Sequence, residues 1–131
     1  GRKEPKDEGL KYLHFYGMLQ SLYVQKNALN GICESFGLPC IFNEPCLKQI
    51  RSERNDSIGH PTNRSSGVYH YIVRVSIAKS GYDRLSFDKN NKMTHCNISV
   101  IKLITDQRII AKSILCRVEK KLIKDLKKVN V

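Results

Sequence analysis

The stretch that decides the fold is GVYHYIVRVSIAKSG, residues 67–81, because its apolar residues are spaced differently from those around it. Every second residue in its middle part is apolar, which is the period of a β-strand with one buried face. The alternating residues are Tyr69, Tyr71, Val73, Val75 and Ile77. We expect this set to face the core, although Tyr69 and Tyr71 could instead stack nucleic-acid bases on an open sheet.

A β-hairpin is expected directly after this strand. The sequence YDRLSFDKNNKMTHCNISV, residues 82–100, contains two short strand-like runs on either side of a polar turn at Asp88–Lys92. Together with the preceding strand, these runs predict a small antiparallel sheet over about residues 67–98. The pattern is compatible with either two or three strands.

Helical spacing of apolar residues marks the sequence on both sides of the predicted sheet. From about residue 7 to residue 36 the apolar positions recur every three or four residues, and Gly37 then supplies a stop signal. A second helix is expected to begin near Asn43 and to end near Gly59. A long amphipathic helix is expected from about Ser99 onward.

The charge of the chain favours a polyanionic partner. Among 131 residues, 23 are Lys or Arg and 12 are Asp or Glu, which gives a formal net charge of +11. Such an imbalance favours nucleic acid first and an anionic membrane surface second, and a soluble domain with a basic tail is the ordinary alternative. No apolar run approaches the roughly 20 residues of a spanning helix, so we expect no membrane partner.

The cysteines predict a reducing compartment. Their number, five, is odd, and no CxxC pair occurs, which indicates reduced thiols in a cytoplasmic protein. A zinc site formed by Cys33, Cys40 and Cys46 with a histidine is the less favoured alternative, because structural zinc usually uses a more closely spaced pair. We therefore expect neither a metal nor a cofactor.

The residues most suggestive of chemistry lie in RSERNDSIGHPTNR, residues 51–64. Arg54 can hold a phosphate through two parallel hydrogen bonds, and His60 can exchange a proton near neutral pH. This pair suits cleavage of RNA by its own 2′-hydroxyl, and Asn55 could orient Arg54 or bind a phosphate itself. On residue chemistry alone, a solvated helix end is the favoured interpretation, because so short a motif is common by chance.

This stretch resembles the signature of the HEPN superfamily of ribonucleases and their inactive relatives. That signature is an arginine, usually followed by a polar residue, and then a histidine after four to six residues. Arg54, Asn55 and His60 match it, with five residues between the arginine and the histidine. The phrases RNDSIGHPT (residues 54–62) and FYGMLQSLYVQKNAL (residues 15–29) are similar to those of uncharacterised bacterial members.

The resemblance implies a mainly α fold: a HEPN-like helical bundle with a small antiparallel β insertion at about residues 67–98 before the C-terminal helix. We expect one such domain over residues 1–131, which could belong to a longer chain. The family is all helical, so the predicted strands depart from it, and Pro61 directly after His60 is a second departure.

For function, the resemblance implies a homodimer that cleaves RNA without a metal, with His60 as general acid or base and Arg54 stabilising the phosphate charge. Related proteins often act as toxins or in defence against phage, so a cognate antitoxin or a larger defence-system partner is a further expectation. The alternative from a different class is a catalytically inactive module that binds RNA, a nucleotide or a protein partner.

Additional cations are candidate RNA contacts. The five candidates are Arg51, Arg64, Lys120, Lys121 and Lys124. The three lysines belong to a lysine-rich helix that would supply sequence-independent, salt-dependent affinity, although a solvated outer face is an equally good interpretation.

Several polar residues near the candidate site have less definite expectations. Gln20 and Gln25 interrupt an otherwise apolar helix and either line a groove or bond between helices. Glu53 and Asp56 would weaken phosphate binding and are expected to face away from the site. The histidines outside the motif are interpreted as structural. They are His14, His70 and His95.

Overall fold

The structure, a computed structural model, describes residues 7–39, 44–59, 62–63, 67–78 and 80–129. Within these ranges, three α-helices and four β-strands follow one another, with a π-helical turn at Asn55–Gly59 and a 3-10 turn at Arg74–Ser76. The elements are α1 (Glu8–Ser35), α2 (Pro45–Arg54), β1 (Thr62–Asn63), β2 (Val68–Ile72), β3 (Gly81–Phe87), β4 (Met93–Ser99) and α3 (Val100–Val129).

Helix α1 is defined at both ends by local hydrogen bonds. The Asp7 carboxylate accepts a hydrogen bond from the Leu10 amide at 3.0 Å, which satisfies a donor of the first turn. At the other end Gly37 has a φ of +63°, and the Leu38 amide donates to the Cys33 carbonyl at 2.8 Å. This is a Schellman C-cap, and glycine adopts its left-handed conformation without steric cost.

Helix α2 is short and changes into a π-helix. It begins at Pro45, where the missing N–H of proline costs nothing, and it ends at Arg54. Asn55–Gly59 then continues as a single π-helical turn, a rare geometry that is found frequently at functional sites. The sequence predicted a helix with a fragile end near Gly59 and Pro61, and the π-helical turn is found at that end. Asn43, the predicted start of the helix, lies outside the described residues.

The strands form one antiparallel sheet in the order β1-β2-β3-β4. The β3–β4 hairpin turns at Asp88–Lys92, as the sequence predicted, and the Asp88 carboxylate accepts hydrogen bonds from two backbone amides of that turn. Gly81 begins β3 at a point where the backbones of β3 and β4 approach closely. A Cβ at this position would lie 1.9 Å from the Ile98 carbonyl oxygen. Only glycine fits this position without a backbone shift.

The inner face of the sheet is part of the hydrophobic core. Tyr82 is 1% exposed, and its ring centroid lies 4.1 Å from that of Phe15 in an edge-to-face contact. Ile98 of β4 is also buried in the same cluster as the helix residues. The expectation of a HEPN-like helical bundle with a β insertion is therefore wrong. The fold is mixed α/β, though mainly helical, because the sheet covers one side of the core that the helices leave open.

The predicted buried face of the first long strand is wrong for Tyr69, Tyr71 and Val75, whereas Ile77 is buried as the sequence predicted. Tyr69 and Tyr71 are 46% and 56% exposed, and Val75 is 87% exposed in the 3-10 turn, where the chain has already left the strand. The inward positions instead carry His70 and, on β3, Arg84, which pair with carboxylates below the sheet. Since strand side chains alternate, this pairing turns the two tyrosines outward.

Helices α1 and α3 pack side by side and run in the same direction. The Gln107 side chain donates to the Leu22 carbonyl at 3.0 Å, and the Lys121 ammonium donates to the Phe36 carbonyl. From Leu22 to Phe36 and from Gln107 to Lys121 the number of residues is the same, and both steps run toward the C-terminus. The two helices are therefore parallel. Among the described residues, no helix combines the length and apolar character that crossing a membrane requires.

Apolar side chains remain exposed on both long helices. On α3 they continue beyond Lys121, after which the helix extends for about two further turns to Val129. The large exposed apolar residues of the two helices are Leu10, Leu13, Tyr16, Val24, Ile101, Ile109, Leu115, Leu122, Ile123, Leu126 and Val129.

Candidate functional site

Arg54 is held by residues of two helices at the end of α2. Its Nε donates to Oε1 of Gln20 on α1 at 3.1 Å, and its Nη1 donates to Oδ1 of Asn55 at 3.1 Å. The guanidinium carbon lies 4.6 Å from the centroid of the Tyr23 ring, within the range of a cation–π contact. The side chain is therefore fixed in position while it remains partly exposed.

The contacts of Arg54 orient its charge without neutralising it. Gln20 and Asn55 bind through side-chain amide oxygens and Tyr23 through its ring face, and no carboxylate in the described part of the chain pairs with this guanidinium. A second cation, Lys26, lies 5.1 Å from the centroid of the same Tyr23 ring. The two bonds use two of the five guanidinium N–H donors, which leaves three for an anion such as phosphate.

The structure brings together two of the three predicted catalytic residues. Arg54 and Asn55 are hydrogen bonded to each other, so Asn55 orients the guanidinium. His60 lies outside the described residues, and so does Arg64. Arg51 is exposed in the last turn of α2, one helical turn before Arg54.

The three predicted RNA-binding lysines lie far from Arg54 along the helices. Lys120 and Lys124 are exposed on α3, whereas the Lys121 ammonium donates to the Phe36 carbonyl. A cation is favourable there because the C-terminus of a helix carries partial negative charge. At 1.5 Å per residue, Phe36 is roughly 20 Å along α1 from Tyr23, which contacts Arg54.

A second charged cluster lies between α2 and the sheet. Glu53, which is 5% exposed, pairs with Arg84 of β3 at 3.2 Å, and Asp56 of the π-helical turn pairs with the same guanidinium at 3.3 Å. Both carboxylates therefore pair with Arg84 and not with Arg54, and they leave the charge of Arg54 uncompensated. Burial raises the pKa of Glu53, while the charge of Arg84 opposes that rise.

His70 belongs to this second cluster, and its neighbours define its tautomer. Nη1 of Arg84 lies 2.8 Å from Nδ1 of His70, and a guanidinium can only donate, so Nδ1 is the acceptor. The proton is then on Nε2, which lies 3.5 Å from Oδ1 of Asp56. Burial lowers the pKa of His70, with Arg84 acting in the same direction and Asp56 against it. A neutral, structural His70 agrees with this geometry.

The π-helical turn is anchored to the sheet by Tyr82. The Tyr82 hydroxyl lies 3.0 Å from Oγ of Ser57 and donates to the Glu53 carboxylate at 3.3 Å. Burial is the main cause that raises the pKa of Tyr82, so its hydroxyl stays protonated as a donor. Together with the Asp56–Arg84 pair, these bonds fix the turn that directly precedes residue 60 in the sequence.

No group of three or more His, Cys, Asp or Glu side chains within the described ranges is placed to hold a metal ion. Cys46, Cys96 and Cys116 are free thiols, whereas Cys40 of the zinc alternative is outside those ranges.

Sequence reasoning missed two residues that define these clusters. Tyr23 is one of the recurring apolar positions that predict the helix over residues 7–36, but it also follows Gln20 at helical spacing and so shares its face. Arg84 was not singled out, yet the acidic pair Glu53 and Asp56 on the neighbouring helix required a cation somewhere in the fold. Comparison of the chain with protein families, curated proteins and solved structures finds no match. The resemblance to the HEPN superfamily stays a prediction.

Proposed function

We propose that the protein is an endoribonuclease that cleaves RNA at a site formed by Arg54 and His60. The observation that carries the proposal is the state of Arg54. Its guanidinium is held in place by neutral acceptors, remains partly exposed and keeps its full charge. An oriented cation of this kind suits the phosphate of a nucleic acid, which the net charge of +11 also attracts.

The proposed reaction uses the 2′-hydroxyl of the RNA as its nucleophile. His60 as general base removes the hydroxyl proton, and the oxygen attacks the adjacent phosphorus. Arg54, oriented by Asn55, stabilises the negative charge that grows on the phosphorus oxygens. An acid protonates the 5′-oxygen as its bond to phosphorus breaks, which leaves a 2′,3′-cyclic phosphate and a 5′-hydroxyl. No step of this reaction calls for a metal.

The proposal includes a homodimer, because one histidine does not comfortably serve as acid and base in the same turnover. A two-fold cleft with two copies of the motif supplies both groups. The exposed apolar residues of α1 and α3 support self-association, since a monomer rarely leaves so many large apolar side chains in water.

The experiment that tests the proposal is an RNA cleavage assay on purified protein in the presence of EDTA. We expect the wild type to cut a single-stranded RNA, and the His60→Ala and Arg54→Ala variants to lose cleavage by at least about 100-fold. Lys48→Ala is the matched control, because it removes an exposed cation from the same helix that is not among the candidate RNA contacts. Equal cleavage by wild type and His60→Ala, or its loss with EDTA, contradicts the proposal.

A second candidate is a module that binds RNA, a nucleotide or a protein partner without cleaving it. It is favoured by one observation: of the described residues, those that contact Arg54 are a glutamine, an asparagine and a tyrosine, and none of them is a histidine, a cysteine or a carboxylic acid. RNA binding in low salt that is lost in Arg54→Ala, with no cleavage by the wild type, supports this candidate.

We also propose a cytoplasmic setting and a role as a toxin or phage-defence effector. The free thiols of Cys46, Cys96 and Cys116 suit a reducing compartment. The role rests on the HEPN resemblance of the Arg54 motif, and it includes a cognate antitoxin or a larger defence-system partner. Growth arrest on expression of the wild type, absent with His60→Ala, tests this role.

A further inference from the structure

The outer face of the sheet carries an exposed aromatic patch. Tyr69 and Tyr71 of β2 point away from the core, and Leu85 and Phe87 of β3 pair with them in register. Together with Asn91 of the hairpin turn, these four residues line an open depression of about 550 Å³. Tyr71 and Phe87 meet edge to face at 5.8 Å, which holds the Tyr71 ring in position.

We propose that this aromatic patch binds single-stranded RNA by stacking unpaired bases on Tyr69 and Tyr71. The inference rests on the proposed function and specifies its substrate class. Exposed aromatic rings on a sheet are a common platform for bases, because every base has a π-face that stacks on them. Asn91, whose side-chain amide has both donors and acceptors, lines the same depression and can bond a base edge.

The charges around the patch favour a polyanion. Lys89 and Lys92 are exposed in the hairpin turn next to Phe87, where phosphates of a stacked strand can reach them. The carboxylate of Asp88 in the same turn accepts two backbone hydrogen bonds, from Asn90 and Lys92, and is partly shielded by them. Such a cationic rim around stacking rings is typical of surfaces that bind single strands.

Acidic charge on this face lies at the other end of the sheet and is already paired. The Asp83 carboxylate accepts a hydrogen bond from Asn97 at 2.8 Å, and its second oxygen lies 3.6 Å from Nε2 of His95. The strand bound at the aromatic patch is therefore expected to run toward the lysine end of the hairpin.

The aromatic patch lies next to strand β1 in the sheet. Thr62 of β1 pairs with Tyr69, and Thr62 follows His60 by two residues in the sequence.

The test is a binding measurement in a His60→Ala background, so that cleavage does not consume the probe. The probes are a fluorescein-labelled 12-nucleotide oligouridylate and a duplex RNA of the same length, followed by anisotropy in low salt. We expect Tyr69→Ala with Tyr71→Ala to weaken oligouridylate binding by about 30-fold, the lower end of what two base–aromatic stacks supply. The matched double substitution to Phe keeps both rings and is expected to bind within about twofold of the parent.

Two controls keep the result interpretable. Val75→Ala removes an exposed apolar side chain outside the patch and is expected to leave the affinity unchanged. If the double Ala protein folds poorly, crosslinking of 4-thiouridine RNA to the parent protein replaces it, and the crosslinked peptide is expected to contain Tyr69 or Tyr71. A crosslink elsewhere, with none on these tyrosines, overturns the inference.

The outcomes separate this inference from the proposed function. If the wild type cleaves RNA but its binding does not depend on the tyrosines, only the proposed role of the aromatic patch is wrong. If binding depends on the tyrosines but no RNA is cleaved, only the proposed ribonuclease activity is wrong. Equal affinity for the duplex also contradicts base stacking. If the double Ala protein sediments as a smaller species and binds RNA normally, the patch is covered by a second copy of the chain and the inference is wrong.

Discussion

Replacing Arg84 with methionine is expected to destabilise the protein by about 3–5 kcal/mol at neutral pH. The substitution keeps the length and the apolar stem of the side chain but removes the cation that pairs with Glu53 at 3.2 Å and Asp56 at 3.3 Å. Because Glu53 is only 5% exposed, its carboxylate would be left buried with the Tyr82 hydroxyl as its remaining donor among the described residues. An uncompensated buried charge is the main source of the expected loss.

The double variant Glu53→Gln/Arg84→Met isolates this cause. It removes both charges together, so we expect its stability to return to within about 1–2 kcal/mol of the wild type. The difference between the double variant and the sum of the two single variants measures the coupling of the pair. Independent contributions from Glu53 and Arg84 would instead give additive losses.

The pH dependence supplies a second signature with a definite sign. Burial raises the pKa of Glu53 above its ordinary value, so in the window between the two values the folded state binds more protons than the unfolded state. Stability in this window therefore falls as the pH rises. Arg84 opposes the rise of the Glu53 pKa, so its loss widens the window, and the penalty of Arg84→Met is expected to be smaller at pH 5 than at pH 7.

The pKa of His70 also makes the stability penalty of Arg84→Met smaller at pH 5 than at pH 7. Its pKa is lowered by burial and by Arg84, so the wild type loses stability as the pH falls below the ordinary histidine value. Removing Arg84 relieves part of that loss. Urea unfolding followed by circular dichroism at both pH values measures the effect. A penalty below about 1 kcal/mol, or one that is the same at pH 5 and pH 7, would refute the reasoning.

Four other substitutions are predicted from the same structure and measured by the same unfolding assay. Gly81→Ala would place a Cβ 1.9 Å from the Ile98 carbonyl oxygen and is expected to cost more than about 2 kcal/mol, whereas Gly31→Ala, whose Cβ meets no atom within 4 Å, should stabilise by about 0.5–1 kcal/mol. Gly37→Ala puts a side chain at φ +63° and should cost about 1 kcal/mol. Tyr82→Phe removes two buried hydrogen bonds and should cost about 1–3 kcal/mol, and a loss below 0.5 kcal/mol would contradict that role.

Local patterns predicted the helices and the hairpin well. The expected helix over residues 7–36 is observed at Glu8–Ser35, and the expected start of the last helix near Ser99 is observed at Val100. The hairpin turn at Asp88–Lys92 also agrees with the sequence. These features depend on hydrophobic periodicity, caps and turn residues, all of which act between neighbours in the chain.

Features that depend on distant contacts were not predictable in the same way. Strand alternation predicted the period of β2 correctly but predicted the wrong buried face. The face that turns inward depends on Arg84 of the neighbouring strand β3, which pairs with Glu53, 31 residues away in the sequence. The role of the sheet as one side of the core likewise depends on Tyr82 meeting Phe15. Alternation alone cannot distinguish an apolar face that is buried from one that stays exposed.

The candidate site was predictable in part. The adjacency of Arg54 and Asn55 in the sequence suggested that the amide orients the guanidinium, and the structure has that hydrogen bond. The contacts from Gln20 and Tyr23 come from 34 and 31 residues earlier in the chain, and only tertiary packing brings them to Arg54. Those contacts distinguish Arg54 from an ordinary solvated arginine at a helix end.

The most direct measurement of the central claim is the chemical identity of the RNA ends after cleavage. Wild-type protein is incubated in EDTA with an RNA of defined sequence, and the products are analysed by mass spectrometry. Attack by the 2′-hydroxyl, with Arg54 stabilising the phosphate charge, predicts 2′,3′-cyclic phosphate and 5′-hydroxyl ends and no cut next to a 2′-deoxynucleotide at the cleavage position. Products with 3′-hydroxyl and 5′-phosphate ends, or no products at all, would contradict the account.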